Sequence, residues 1–578
     1  MPMNNIVKIS ISVLVMGASL TASATDYYLT KAGWGASGTT DSWTPNRTEG
    51  SESDNIYIDF VKRMEVQTSI GSTQASWNIG YALWDDDNGN VAKFGIVNSL
   101  TFQNLYNSKD PKSGFKVTVS PTATAANTTP VSFEAKSDVN LVLDQYNAIV
   151  TWKGVNTEAN KNYTGRTMTN FTVGNAINIG SATSDSTATG TLYLGFSDGN
   201  IKNVSTKDIN SYASGKLYIY ADTTKATGTI SMNGSSKNYI YGTTLNVNAI
   251  SGKGAGYLET KVTTTTFSGD INLEGTSKIL ARGSKLTAKN ITLTGEATLS
   301  LGITESNEKA SALTRNVYID VLTMNSADNK SPSVFLNNEA TNSDNSVVVD
   351  IKGISGTGSI GTYVKDTGNL TYMILATAAG KEYSYSGTLN GIKILMTGGN
   401  NKGTQYLRGS NTGIGTISAR SGTLYVNGKS LTSTNVYFEN NGGYLGIVSE
   451  DTNFGELNVN AIGLNEKAKL LFDISGTEQD IITAKRITIT SAFNIDFTLT
   501  DDVELNKEYK IFTADTLEDE NEFYKQTVAT NNLGYNMNFV SDGNSLSVIF
   551  SVAVPEPAEW AMIFGGLALG LAIYRRRK

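Results

Sequence analysis

Along most of the chain apolar and polar residues alternate with a period of two, as in Leu217-Tyr218-Ile219-Tyr220 and Val317-Tyr318-Ile319-Asp320. Alternation places one set of side chains on each face of a pleated strand, so these runs read as half-buried β-strands. Gly, Asn and Ser corners separate the strands about every 8 to 12 residues. The pattern predicts an all-β protein.

The strands belong to a repeat. At an offset of 41 residues, Gly228, Ile230, Gly234, Ser236, Lys237, Gly242, Leu245, Ile250, Gly254 and Leu258 fall on Gly269, Ile271, Gly275, Ser277, Lys278, Gly283, Leu286, Ile291, Gly295 and Leu299. A further copy, with a one-residue gap, begins at Gly415-Thr416-Ile417 and sets Asn435-Val436-Tyr437-Phe438 against Asn290-Ile291-Thr292-Leu293. Short strands rich in β-branched residues, joined at corners that tolerate positive φ, suit a parallel β-solenoid (β-helix); 41 residues then make two coils of about 20 each. Ile271 and Leu273 point inward, and outward Asn and Thr can form hydrogen-bonded ladders. Coils over 140–465 at ~4.8 Å per rung predict a rod of roughly 80 Å. A string of antiparallel sandwiches is the competing arrangement, because turns at this spacing also suit sandwiches.

Both ends of a solenoid need caps. Five of the six Trp (Trp34, Trp43, Trp77, Trp84, Trp152) lie in the first 152 residues, which sets off 25–139 as an N-terminal β cap module. From about Lys469 the strands change character, as in Leu470-Leu471-Phe472-Asp473-Ile474 and Leu546-Ser547-Val548-Ile549-Phe550, so 466–552 reads as a C-terminal β module. The opening Gly33-Trp34-Gly35, Trp43 and Asp54-Asn55-Ile56-Tyr57-Ile58 resembles the start of autotransporter-like repeat proteins, and 466–552 looks like the module that closes them. No outer-membrane barrel follows it, so the resemblance covers the passenger alone.

The extreme ends read as addresses. Lys8, the apolar run from Ile9 to Leu20 and the triplet Ala22-Ser23-Ala24 form a secretory signal peptide over 1–24, cut after Ala24 and implying Sec-type export machinery. At 553–578, Pro555-Glu556-Pro557 is followed by an apolar segment from Trp560 to Tyr574 and by Arg575, Arg576, Arg577 and Lys578. Fifteen residues cover roughly 22 Å against a ~30 Å hydrocarbon core, so the segment reads as a minimal transmembrane helix whose cations snorkel and stay inside. Gly566 and Gly570 have the spacing of a helix-packing face. Tripeptide, short helix and basic stop together resemble the PEP-CTERM sorting signal of Gram-negative bacteria that make extracellular polysaccharide. That resemblance implies recognition and cleavage near the tripeptide by an exosortase, a membrane transpeptidase-like enzyme. It implies delivery across the inner membrane, a transient anchor, and release to the cell surface or matrix.

Composition narrows the chemistry. The 578 residues include no Cys and no His, which excludes disulfides, thiolate or imidazole catalysis and the usual zinc and haem sites. The 70 Thr, 55 Ser, 57 Asn and 56 Gly make up two fifths of the chain, and charged residues only 17%. The formal charge of -7 gives no basic footprint for nucleic acid. Removing both end segments leaves 41 cations and 51 anions, so the mature body carries -10.

Three features could carry a site. Asp85-Asp86-Asp87-Asn88-Gly89-Asn90 offers oxygens for Ca²⁺, but its spacing fails the EF-hand test and reads as a solvated turn. Asp320 and Asp350 sit on strands and could face outward, as a glycosidase pair must, yet nothing in the sequence brings them together. Tyr is abundant, with 27 residues, and when exposed it can stack on sugar rings, although it is also simply a good strand former. No cofactor and no metal is expected. The chain reads as a non-enzymatic, exported structural or adhesive component of a cell surface or exopolysaccharide matrix. The alternatives are a β-helix polysaccharide lyase or glycosidase and a non-catalytic polysaccharide-binding protein.

Overall fold

Inward and outward positions separate cleanly along the long strands. In Lys237–Gly252, for example, Ile240, Leu245, Val247 and Ile250 are buried while Lys237, Thr243, Asn246 and Asn248 are exposed. The structure, a computed structural model, describes residues 25–29, 43–44, 52–59, 76–78, 96–103, 105, 115–119, 130–142, 148–153, 167–180, 189–195, 201–283, 285–301, 316–336, 348–362, 371–396, 403–409, 411, 413–439, 442–552 and 557–577.

The strands wind into a three-sided parallel solenoid. One coil runs through 237–242, 244–247 and 249–252; these pair in register with 216–221, 223–226 and 229–232 below and with 257–262, 264–267 and 271–273 above. Among the described residues the pairings between strands are parallel except three at the chain ends; two isolated bridges, Ala327 with Lys330 and Ile474 with Gln479, are also antiparallel. The third side forms a column of nineteen strands from Thr25–Leu29 to Val528–Asn531. At ~4.8 Å per rung the column is about 86 Å long.

The two-coil period follows from the register. Ile230, Ile250, Ile271 and Ile291 stack on successive rungs, 20 or 21 residues apart. A single step is never constant, whereas two steps give 41. Alternate corners reinforce the longer period: Gly242 and Gly283 approach the carbonyls of Ala221 and Val262 too closely for a side chain, while the rung between them has Val262. At another corner Gly234, Gly254, Gly275 and Gly295 all have positive φ and lie over one another. The copy proposed at Gly415 is displaced by one side. Ile417 and Val436 belong to the second side, above Ile394, whereas Ile271 and Ile291 belong to the third. The sides have similar inward patterns, so a sequence match can slide between them.

Coils are not uniformly 20 residues. Ile291 to Leu322 and Leu322 to Ile354 take 31 and 32. Segment 140–465 therefore holds about 13 rungs, or about 58 Å, rather than 80 Å. The parallel columns also run through 25–139 and on through Lys469–Ile474, Asn494–Leu499 and Val528–Asn531. At the C-terminal end the last hairpin, Asn536–Ser541 with Ser545–Ser551, turns antiparallel and closes over Glu508–Glu518.

The outward Asn residues form the expected ladders. Asn140 donates to Thr101, Asn178 to Asn140 and Asn210 to Asn178 at 3.2, 2.9 and 2.9 Å, linking four rungs. Inside, one aliphatic core runs the length of the coil, with Phe133, Trp152 and Phe171 packed together toward one end and Phe472, Phe497, Phe512 and Phe550 toward the other. Where the third side narrows to a single pairing, Gly356 with Tyr385, the buried Gln405 amide fills the gap. It accepts from Ile354 N–H at 3.1 Å and donates to Ile354 C=O at 2.9 Å.

The tail forms one helix, Pro557–Arg576. No helix among the described residues is long and apolar enough to cross a membrane, which corrects the transmembrane reading. The physical reason is the short apolar run between Glu559 and Arg575, diluted by Gly565, Gly566 and Gly570.

Candidate functional site

A parallel, in-register column places equivalent residues of successive coils about 4.8 Å apart, which is also a stacking distance for aromatic rings. On the outer surface of the first side this generates a tyrosine ladder. Tyr193, Tyr218 and Tyr239 lie in register, with ring centroids 4.6 and 4.5 Å apart and planes within 16° and 5° of parallel. Tyr257 continues the ladder at 5.7 Å with a tilted ring, and Tyr220 stacks on Tyr241 at 4.9 Å. The inner rings have neighbours on their faces, so the ladder presents ring edges and hydroxyls.

Cations flank it. Lys216, Lys237, Tyr257 and Lys278 form one column, and Tyr220, Tyr241, Lys261 and Arg282 another. Glu259, in register with Tyr239, is the one carboxylate on these rungs of the face; it accepts from the Tyr257 hydroxyl at 2.8 Å and pairs with Arg282 at 3.5 Å. Burial pushes the Tyr218 phenol up to about 12, with neighbouring tyrosines adding to the effect. Tyr241 and Tyr257 are raised further, first by burial and then by Glu259. These phenols therefore remain neutral hydrogen-bond donors across the ordinary pH range.

A second cluster stands on the third side. Tyr406 stacks on Tyr425 at 4.8 Å, and the Arg408 guanidinium lies 5.1 Å from the Tyr406 ring centre. Arg408 also donates to the Thr452 carbonyl at 3.0 Å and to Asn453 Oδ1 at 3.2 Å, pinning the 449–453 turn. Nearby, buried Asp480 accepts from the N–H groups of Gly455 and Asp473, both at 2.8 Å. Burial nevertheless pushes its carboxyl up to about 8, against the lowering effect of those two donors. Asp480 is 1% exposed, which makes it an internal latch rather than a group a substrate can reach.

No protein-family model matches the chain, and no curated protein matches it.

The structure sets the two strand aspartates named from the sequence on adjacent strands of the second side, two residues apart in register, with Lys352 next to both. Asp320 pairs with Lys352 at 2.5 Å. Asp350 lies beside Tyr318 in register, and burial raises its carboxyl while Lys352 opposes the rise. The acidic run 85–90 lies outside the described residues, as do Ala22, Ala24, Pro555, Glu556 and Lys578. Pro557 opens the tail helix, which includes Trp560, Gly566, Gly570, Tyr574, Arg575 and Arg576, with Arg577 just beyond. Side chains at Gly566 and Gly570 would meet open space, so within this chain they serve no close packing. Among the described residues no group of three or more acidic side chains is placed to hold a metal ion.

The belt of cations and tyrosines was hidden by whole-chain charge. Residues 201–300 contain eleven Lys and Arg against six Asp and Glu, a local surplus of five positive charges in an acidic protein. A windowed count, with the recurrence of Lys-x-Tyr-x-Tyr at 216–220 and 237–241, would have exposed it.

Proposed function

We propose that this chain is the precursor of an exported, exosortase-sorted structural or adhesive rod of a cell surface or exopolysaccharide matrix. The observation that carries the reading is the form of the body: one continuous parallel sheet of many rungs, whose described outer surfaces repeat Asn, Thr, Lys and Tyr ladders. Such a body resists proteolysis because its backbone groups are paired along the column and its core is continuous. The end motifs support export and sorting: Ala22 to Ala24 as the leader cleavage site, Pro555 to Pro557 as the recognition tripeptide, and the basic end of the tail helix. The partners are then the Sec-type machinery and an exosortase-like processing enzyme.

The test is mass spectrometry of the native protein from its envelope fraction. A mature N-terminus at Thr25 and a C-terminus close to Pro555 are expected. Surface-localised protein that retains Arg575 to Lys578 would refute the sorting reading.

A second reading, non-catalytic polysaccharide binding, is favoured by one observation: the belt of hydroxyls and cations on the first side.

A further inference from the structure

We propose that the outer first-side surface around Lys216, Lys237 and Lys278 is a binding site for an acidic, uronate-type polysaccharide laid along the rod axis. The inference deepens the matrix reading and rests on it for its biological setting.

Lys216 and Lys237 stand directly opposite each other on adjacent rungs, and Lys278 occupies the same column two rungs beyond Lys237. None of the three has a carboxylate partner among the described residues. Like charges directly opposite on neighbouring strands are destabilising, and an anionic chain lying over them relieves that repulsion. The parallel register supplies the periodicity: cations recur in steps of one or two rungs, about 4.8 or 9.6 Å. A uronate polymer presents one carboxylate per sugar, at a comparable rise.

The tyrosines select the ligand class. Tyr218 is stacked on two rings and Tyr193, Tyr239, Tyr220 and Tyr241 each on one, which leaves few ring faces as platforms for unstacked bases, on which single-stranded nucleic acid recognition relies. What they offer is a row of neutral phenolic hydroxyls beside the cations, suited to a polyhydroxylated chain. The single carboxylate, Glu259, is engaged with Tyr257 and Arg282 and so does not repel a passing anion at full strength.

The experiment measures binding of the full chain to immobilised polygalacturonate, dextran and double-stranded DNA over a salt series. Wild type should bind polygalacturonate, lose affinity as salt rises, and ignore dextran. The triple variant Lys216→Gln/Lys237→Gln/Lys278→Gln should bind about tenfold more weakly. The corresponding Lys→Arg triple should retain binding. An equal charge change at Lys485, Lys510 and Lys525, exposed near the other end, should alter affinity by less than about twofold. The proposal is overturned if dextran binds as well as polygalacturonate, if the two Gln triples behave alike, or if DNA binds more tightly than the polyuronate. These variants sit on exposed or half-exposed lysines, and unchanged thermal melting will show that they fold. Processing of the tail, read by mass, decides the sorting function separately.

Discussion

Ile271→Asp tests the solenoid register directly. Ile271 is 1% exposed and stacks between Ile250 and Ile291 on the third side. Losing its buried side chain removes about 2 kcal/mol of transfer free energy. An ionised carboxylate there costs several kcal/mol, so the group remains protonated instead. Holding a carboxyl of ordinary pKa near 3.9 neutral at pH 7 costs about 4 kcal/mol, at about 1.4 kcal/mol per pH unit. The total is about 6 kcal/mol at pH 7, falling to about 2 kcal/mol near pH 4, where the unfolded chain is protonated too. Because each coil touches only its neighbours, the loss should be local. Hydrogen exchange read by mass spectrometry, peptide by peptide, should show protection lost over about 250–291 and kept over distant coils such as 404–447. Ile271→Val should cost about 1 kcal/mol, and Asn272→Asp, one residue along on the exposed surface, should lie within about 0.5 kcal/mol of wild type. Equal protection in Ile271→Asp and Asn272→Asp would refute the assignment of inward and outward positions.

Asp480 should make the protein less stable as pH rises: its folded carboxyl is raised from 3.8 to about 8, so between those values unfolding releases a proton and stability falls. Thermal melting from pH 4 to 8 should show this decline, and Asp480→Asn should flatten it, at the cost of one of the two N–H bonds now accepted. Gly254→Ala should destabilise by more than Gly380→Ala: both have positive φ, worth about 1 kcal/mol, but only at Gly254 would the new methyl crowd a neighbour, the Gly234 carbonyl at 3.2 Å. Denaturant melts of the two variants measure the difference, and equal losses would show that the glycine stack is not close-packed.

Much of the body was legible in sequence because a parallel stack enforces repetition. Each inward residue must meet an equivalent one coil later, so Ile230, Ile250, Ile271 and Ile291 could not drift in spacing without breaking the column. Strand periodicity and the 41-residue offset therefore determined an all-β parallel solenoid and its 20-residue coil. Phase was not determined. Three sides with similar inward patterns allow a match at Ile417 to be read one side out, and long coils such as the one from Ile291 to Leu322 consume residues without adding rungs.

The sites depended on the fold. Stacking of Tyr218 on Tyr239, the column of Lys216, Lys237 and Lys278, and the Arg408 clamp on 449–453 each join residues 20 or more apart along the chain. Local sequence sets which way a side chain points within its strand. Only the wound sheet sets what stands above and below it, and charge and ring contacts are properties of those neighbours.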